Sequence, residues 1–292
     1  MTGSLRNSRD AAGGMLLIHG AWQGSWAWDA WLPELTARGW DAHAVDLPGN
    51  GVPGSPIAHA HASLESYVDA LADAASRMRG PLVVVGHSGG GLAASQLAER
   101  MPERVTCLVY IAGMMLPSGL AFADLVGGLA LEVPGVAGIG PYLEWSDDLA
   151  QSRVPPAAAL DIFLHDCAPH LARDAAAQLR PQQESGRAIV TSLTPDRYGR
   201  VPRVYIEALR DRSLLLPVQR RMQTLSPGAL VKSIDTGHVP QLARPAELAD
   251  IVCSALAELG IEAPHAASLT TPTPSTAGAA ACTPVDTSDD AA

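Results

Sequence analysis

The chain is short of charge, and the charge it has is not concentrated. Only 17% of its 292 residues are Asp, Glu, Lys or Arg, the formal net charge is −10, and no Lys/Arg-rich run occurs. Binding a phosphate backbone takes a basic stripe, so this balance argues against a nucleic-acid partner. Cysteine is scarce as well. Cys107, Cys167, Cys253 and Cys282 lie far apart with no C-x-x-C pair, which fits neither a disulfide framework nor a zinc knuckle and points to a reducing cytoplasm. The opening "MTGSLRNSRDAAGG" lacks the apolar centre of a secretory signal. No uninterrupted apolar run approaches the about 20 residues that a bilayer requires, so no membrane partner is expected.

Hydrophobic residues, by contrast, make up 47% of the chain, ample for a core at this length. They fall in a repeating order. "MLLIHG", Met15 to Gly20, reads as a short buried strand ended by a glycine turn. "WDAWLPELTARGW" has apolar residues at helical spacing, and "DAHAVDLPGNGVPG" is a strand running into a Gly/Pro loop. "SLESYVDALADAASRMRG" reads as a helix with Ser63 and Ser66 as candidate caps and Gly80 as its stop. A strand from Leu82 to Val85, a helix from about Gly90 to Met101 and the strand "VTCLVYIAG" follow. Strands and helices alternating at this spacing predict a mostly parallel sheet covered on both faces.

The alternation then stops. Residues 116–199 contain no clear strand, only an apolar, glycine-rich stretch and two helices around "PPAAALDIFLHDC" and "PHLARDAAAQLR". It resumes with "RVYIEAL", a helix around "PVQRRMQTL", the strand "LVKSI" and the helix "PAELADIVCSALAEL". The expected organisation is a flexible leader at 1–14 and an α/β core at 15–115 and 200–262. A helical cap at 116–199 covers the sheet's carboxyl edge, where open α/β sheets bind ligands. A Pro/Thr/Ala-rich, unfolded tail occupies 263–292.

"PLVVVGHSGGGLAASQLA", Pro81 to Ala98, sets Ser88 among Gly86, Gly89, Gly90 and Gly91. Glycine loses more conformational entropy on folding than any other residue, so four around one serine imply a special backbone or a close approach. "GHSGG" fits G-x-S-x-G, and the strand before it and helix after it supply the context that motif needs. The helix N-terminus adds N–H donors and a favourable dipole for negative charge. A glycine-rich turn with an incidental serine is the plainer alternative, and the strand–turn–helix setting weighs against it.

A serine hydroxyl needs a base. His238, in "SIDTGHVPQLARPAEL", falls just after a strand and before the last helix; His59 and His61 lie in a loop, and His165 and His170 in the cap. The base needs a carboxylate to fix its tautomer. Asp211 in "YIEALRDRSLLLP" completes the chain order serine, acid, histidine and is preferred over Glu207 within the strand, Asp235 beside the histidine and the distant Asp124. For the oxyanion, Gly89 N–H follows the nucleophile directly, and Ala21 N–H in "HGAWQGSW" is the second candidate donor. His19 and Gly20 shape that turn. Gly20, Trp22, His87 and Val239 are assigned to the substrate pocket, and at least two of Trp22, Trp26, Trp28 and Trp31 to core packing. "HDCAPH", with His165, Cys167 and His170, offers few well-placed ligands and reads as cap packing rather than a metal site.

Over about residues 15–259 the chain resembles the α/β-hydrolase superfamily, in the branch of plant methylesterases, hydroxynitrile lyases and bacterial carboxylesterases. The resemblance rests on "HGAWQGSWAW", "GHSGGG", "YIEALRD" with "VQRRM", and "TGHVPQLARPAEL"; "YIEALRDRSLLLPVQRRM" is similar to bacterial esterases that cleave pyrethroid-type esters. It implies that fold, a Ser88–Asp211–His238 triad, an oxyanion hole at Ala21 and Gly89, a small-molecule ester substrate, and neither cofactor nor metal. Two positions depart from the pattern. The family often has proline a few residues after the acid, where this chain has Leu215, with Pro217 later. Hydroxynitrile lyases carry threonine after the first histidine and lysine after the last; Gly20 and Val239 stand there, so hydrolysis is favoured over cyanide departure. The expected activity is two-step hydrolysis of a hydrophobic ester. The rival from another class is a small-molecule receptor on the same scaffold. Dehalogenases place aspartate where Ser88 stands, which argues against that chemistry.

Overall fold

The computed structural model describes residues 13–51 and 54–264. Strand β1 (Gly14–Ile18) leads to α1 (Leu32–Ala37), β2 (Ala42–Val45), α2 (Leu64–Arg77), β3 (Leu82–His87), α3 (Gly90–Arg100) and β4 (Val105–Ile111). The next stretch holds α4 (Phe122–Leu129), β5 (Glu144–Trp145), β6 (Gln151–Arg153), α5 (Pro156–Ala158), α6 (Pro169–Gln178), β7 (Gln182–Gln183) and α7 (Glu184–Arg187). The chain closes with β8 (Arg203–Ala208), α8 (Leu216–Leu225), β9 (Ala229–Ile234), α9 (Pro240–Ala243) and α10 (Pro245–Glu258).

The six long strands form one sheet in the order β2-β1-β3-β4-β8-β9, every neighbouring pair parallel. Its strands read as apolar runs because both faces are covered. Successive residues point to opposite faces, and the two cores follow that alternation. Leu16, Ile18, Leu82, Val84, Leu108 and Tyr110 pack with α2, α3 and α8 on one side. Met15, Leu17, Val83, Val85, Cys107 and Val109 pack with Trp28, Trp31 and α10 on the other. Trp28 and Trp31 are thus core residues, with ring centroids 5.5 Å apart.

Local signals set several boundaries. Ser63 Oγ accepts from Ser66 N at 3.1 Å and Ser66 Oγ accepts from Ser63 N at 3.0 Å, a reciprocal cap on α2. That helix ends at Arg77, before Gly80, which takes a φ of 65° in the turn that follows. Gly13 and Gly14 are not part of a leader. Gly14 opens β1, and a Cβ on Gly13 would overlap the Arg79 carbonyl oxygen, so chain packs against this point. Ala263 likewise packs against the core beside α10. The remainder of the expected leader and tail, residues 1–12 and 265–292, with Cys282, lies outside the described residues.

The stretch between β4 and β8 requires one correction. The sequence shows no clear strand there, yet β5, β6 and β7 form a small antiparallel sheet, with Glu144 opposite Arg153 and Ser152 opposite Gln182. Strands of two or three residues, mostly polar, are too short for an apolar alternation to be read. The two expected helices are present, the first as α5 running into a wider π turn at Ala159–Phe163. A third apolar cluster joins this stretch to the sheet edge through Trp22, Val239, Phe163, Ile162 and Ala172. No helix among the described residues is long and apolar enough to cross a membrane.

Candidate active site

Ser88 sits between β3 and α3 with a φ of 50°, a left-handed conformation rare for a side chain of this kind. Three contacts hold it there: its N–H donates to Ile111 O at 3.3 Å, and its carbonyl accepts from Met114 N at 2.8 Å and Gly91 N at 3.1 Å. The neighbouring glycines answer to close approach. A Cβ on Gly86 would lie 2.7 Å from Gly91 Cα, and one on Gly90 would lie 2.5 Å from His19 O. Strand, turn and helix therefore pass one another with no room for a side chain.

His238 follows β9, and Asp211 follows β8, so the parallel order of the sheet delivers both to the edge where β3 ends. His238 Nε2 lies 3.2 Å from Ser88 Oγ, and His238 Nδ1 lies 2.7 Å from Asp211 Oδ2. Both side chains are buried, His238 at 3% and Asp211 at 5% exposure, and Phe163 stacks on the imidazole at 5.1 Å. The other carboxylate oxygen, Asp211 Oδ1, accepts from Ser213 N at 2.7 Å and Leu214 N at 2.9 Å. With Leu215 in place of the usual proline, Gln219 holds this loop. Its amide accepts from Ala208 N at 3.1 Å and donates to Leu214 O at 2.7 Å. The rival acids are engaged elsewhere: Glu207 pairs with Arg220 at 3.0 Å, and Asp235 with Arg210 at 2.8 Å.

Neither Ala21 N–H nor Gly89 N–H has a hydrogen-bond partner among the described residues. The two residues are near neighbours, since a Cβ on Gly89 would come 3.9 Å from Ala21 N. The peptide that carries Ala21 N–H is held at its far end by His19, whose Nδ1–H donates to Gly20 O at 2.8 Å. His19 Nε2 accepts from Leu47 N at 3.1 Å, which sets the tautomer. His87 Nε2–H donates to the His238 carbonyl at 2.7 Å, and its Nδ1 faces the Gln23 amide at 3.1 Å.

A cavity of about 420 Å³ opens above Ser88, walled by the turn at residues 20–22 after β1, α4 and the chain around α7. Gly20, Ala21, Trp22, Ser88 and Gly89 line it; His87 and Val239 do not, which corrects their assignment to the pocket. His87 is wholly buried behind the turn, where its ring stands edge-on to Trp28 at 6.3 Å. Val239 is buried in the cluster that seats the inserted stretch. The wall is largely apolar, with Phe122, Val126, Ile139 and Leu143, and its polar members include Tyr67, Asn50 and Gln182. Among the described residues no three His, Cys, Asp or Glu side chains converge as a metal site. Sequence reasoning had no signal for Gln23, Gln182 or Gln219, whose partners lie far along the chain or look the same in a solvated loop.

Burial holds His19 below its ordinary value of 6.5. Burial, reinforced by the neighbouring His238, holds His87 well below that value. Both are neutral in the folded protein. The unfolded chain takes up their protons first, so the stability present above pH 6.5 is lost as the pH falls below it. The melting temperature is expected to drop between about pH 7 and about pH 5, and His87→Gln to make the drop smaller. Calorimetry across that range checks it, and a flat profile would contradict it.

Comparison with known proteins shows the family to which the chain belongs. Residues 15–251 match the family model described as "Alpha/beta hydrolase family". A pyrethroid hydrolase of Sphingobium wenxiniae is 30% identical over 249 residues, covering 82% of this chain and 85% of that one. Methylesterase 17 of Arabidopsis thaliana is 26% identical over 265 residues, covering 84% and 92%. The crystal structure of a pyrethroid hydrolase from Sphingobium faniae superimposes with a TM-score of 0.72 at 26% identity, over 85% of this chain and 98% of that one.

Proposed function

The chain belongs to the alpha/beta hydrolase family, and from that premise we propose that it is a serine carboxylesterase acting on hydrophobic esters. The observation that carries the reading is the hydrogen-bonded relay from Asp211 through His238 to Ser88, with two unengaged N–H groups beside it at one end of an apolar cavity.

Ser88 Oγ attacks the ester carbonyl while His238 Nε2 takes its proton. Asp211 holds the imidazole with Nδ1 protonated and stabilises the imidazolium that forms. The carbonyl oxygen becomes an anion between Ala21 N–H and Gly89 N–H. These donors are in place before charge develops, so they favour the transition state over the bound ester. The alcohol leaves with the proton from His238, and the acid stays on Ser88. His238 then draws a proton from water, which attacks the acyl-enzyme; the acid is released as His238 returns that proton to Ser88 Oγ. Val239 offers no ammonium for a departing cyanide, which supports hydrolysis over lyase chemistry.

The cavity's apolar wall supports an ester with a bulky alkyl or aromatic part; that relatives include a pyrethroid hydrolase and methylesterases is consistent with this. A panel of p-nitrophenyl esters of increasing acyl length, with methyl esters and a pyrethroid alongside, tests it. Turnover with a burst of one p-nitrophenol per chain, blocked by a fluorophosphonate that labels Ser88, is the expected result. Saturable binding of the esters without turnover would place the protein among receptors instead.

A further inference from the structure

Trp22 follows the proposed oxyanion donor Ala21 directly and, with a φ of 62°, takes a backbone conformation that side-chain-bearing residues rarely adopt. Such a conformation persists only where its surroundings over-determine it. Here those surroundings come from the stretch inserted between β4 and β8, which holds all three polar groups of Trp22. Its N–H donates to Gln182 Oε1 at 3.1 Å, and its carbonyl accepts from Arg180 N at 2.9 Å. Its indole Nε1–H reaches Ser152 O and Oγ, each at 3.2 Å. Ser152 and Gln182 are paired across β6 and β7, so the small sheet presents both partners to one residue.

Gln182 is the centre of this grip. It is buried, and Oε1 also accepts from Asn50 Nδ2 at 3.0 Å while its Nε2 donates to Tyr67 OH at 3.0 Å. Asn50 Nδ2 is shared with Gln23 O at 3.0 Å, so the oxyanion turn is tied at two successive residues. Tyr67 fastens the same amide to α2.

We infer that Gln182 is a positioning residue for the oxyanion hole, holding Ala21 N–H on target by fixing the Ala21–Trp22 peptide. This rests on the esterase reading above. Without the acceptor, the buried Trp22 N–H has no partner, the peptide turns to find one, and the donor one residue earlier moves off the site where the anion forms. Donors misplaced in this way weaken the transition state and leave the neutral ester's binding intact.

The test uses Gln182→Ala and Gln182→Met, the second keeping the side chain's bulk while removing its acceptor. Kinetics on an uncharged p-nitrophenyl ester are measured with the affinities of a trifluoromethyl ketone, which forms a tetrahedral adduct on Ser88, and of the matching methyl ketone. In both variants kcat is expected to fall about 30-fold, less than the about 100-fold or more that follows outright loss of a donor. KM is expected to stay within about twofold. Trifluoromethyl ketone affinity falls in proportion to kcat, and methyl ketone affinity is unchanged. A Gln182→Met enzyme with wild-type kcat would overturn the inference. So would equal weakening of both ketones with a raised KM, because Gln182 would then only shape the cavity wall. Failure of the esterase reading shows separately, as absence of Ser88-dependent turnover in the unaltered protein.

Discussion

Ser88→Ala is expected to lower kcat/KM for a p-nitrophenyl ester by about 10⁵- to 10⁶-fold, the scale seen when a serine nucleophile is removed from such a relay. The fold should not notice. Alanine keeps the Cβ, so the left-handed backbone at φ 50° is neither relieved nor further strained, and the contacts to Ile111, Met114 and Gly91 are all made by the main chain. The melting temperature should therefore shift little, while a fluorophosphonate no longer labels the protein. Ser88→Gly makes a useful contrast, because glycine adopts that φ freely and should match or exceed the parent in stability. Retained turnover in the alanine variant would reject Ser88 as nucleophile.

Asp211→Asn is expected to cost about 10⁴-fold in kcat, for a reason visible in the hydrogen bonds. Asp211 Oδ1 accepts from two backbone N–H groups, of Ser213 and Leu214. An asparagine keeps its oxygen there and turns its NH₂ toward His238 Nδ1. The imidazole must then carry its proton on Nε2, facing Ser88, where it can no longer accept one. The loop stays closed while the base is disabled. Glu207→Gln is the control that separates the two acids. Burial pushes the Glu207 carboxyl up, but hydrogen bonds from Arg220, Gln223 and Ser233 more than offset this and hold it below its ordinary value. Its loss should lower the melting temperature and leave kcat near the parent's. The opposite pattern, with Glu207→Gln inactive and Asp211→Asn active, would reassign the acid.

Much of this site can be reached from residue order because its key features are local. A tight strand–turn–helix junction needs glycines within a few residues of the serine, and Gly86, Gly90 and Gly91 record that need; Gly89 does not, since a Cβ there would meet nothing closer than 3.9 Å. The apolar runs of β1, β3 and β4 record a sheet covered on both faces. The histidine and the acid each follow a strand, so a parallel sheet carries them to the same edge as Ser88 however far apart they lie along the chain. Even the quiet role of His19 follows from its place at the end of β1.

The rest depended on contacts that leave no local trace. A glutamine that holds a buried turn has the same composition and neighbours as one in solvent, so Gln182, paired with Trp22 from 160 positions away, gives no periodic signal. Strands β5 to β7, of two or three residues each, are too short to show alternation. Val239 and His87 sit beside the proposed base and nucleophile in sequence, yet packing against the inserted stretch and behind the turn removes both from the cavity wall. Residue order by itself determined the layered sheet, the serine's turn and the order of its partners, because strand and helix periods and turn sterics act over a few residues. Only the tertiary structure decided what walls the cavity and what steadies the turn after β1, because those depend on buried polar groups finding partners that chain proximity does not supply.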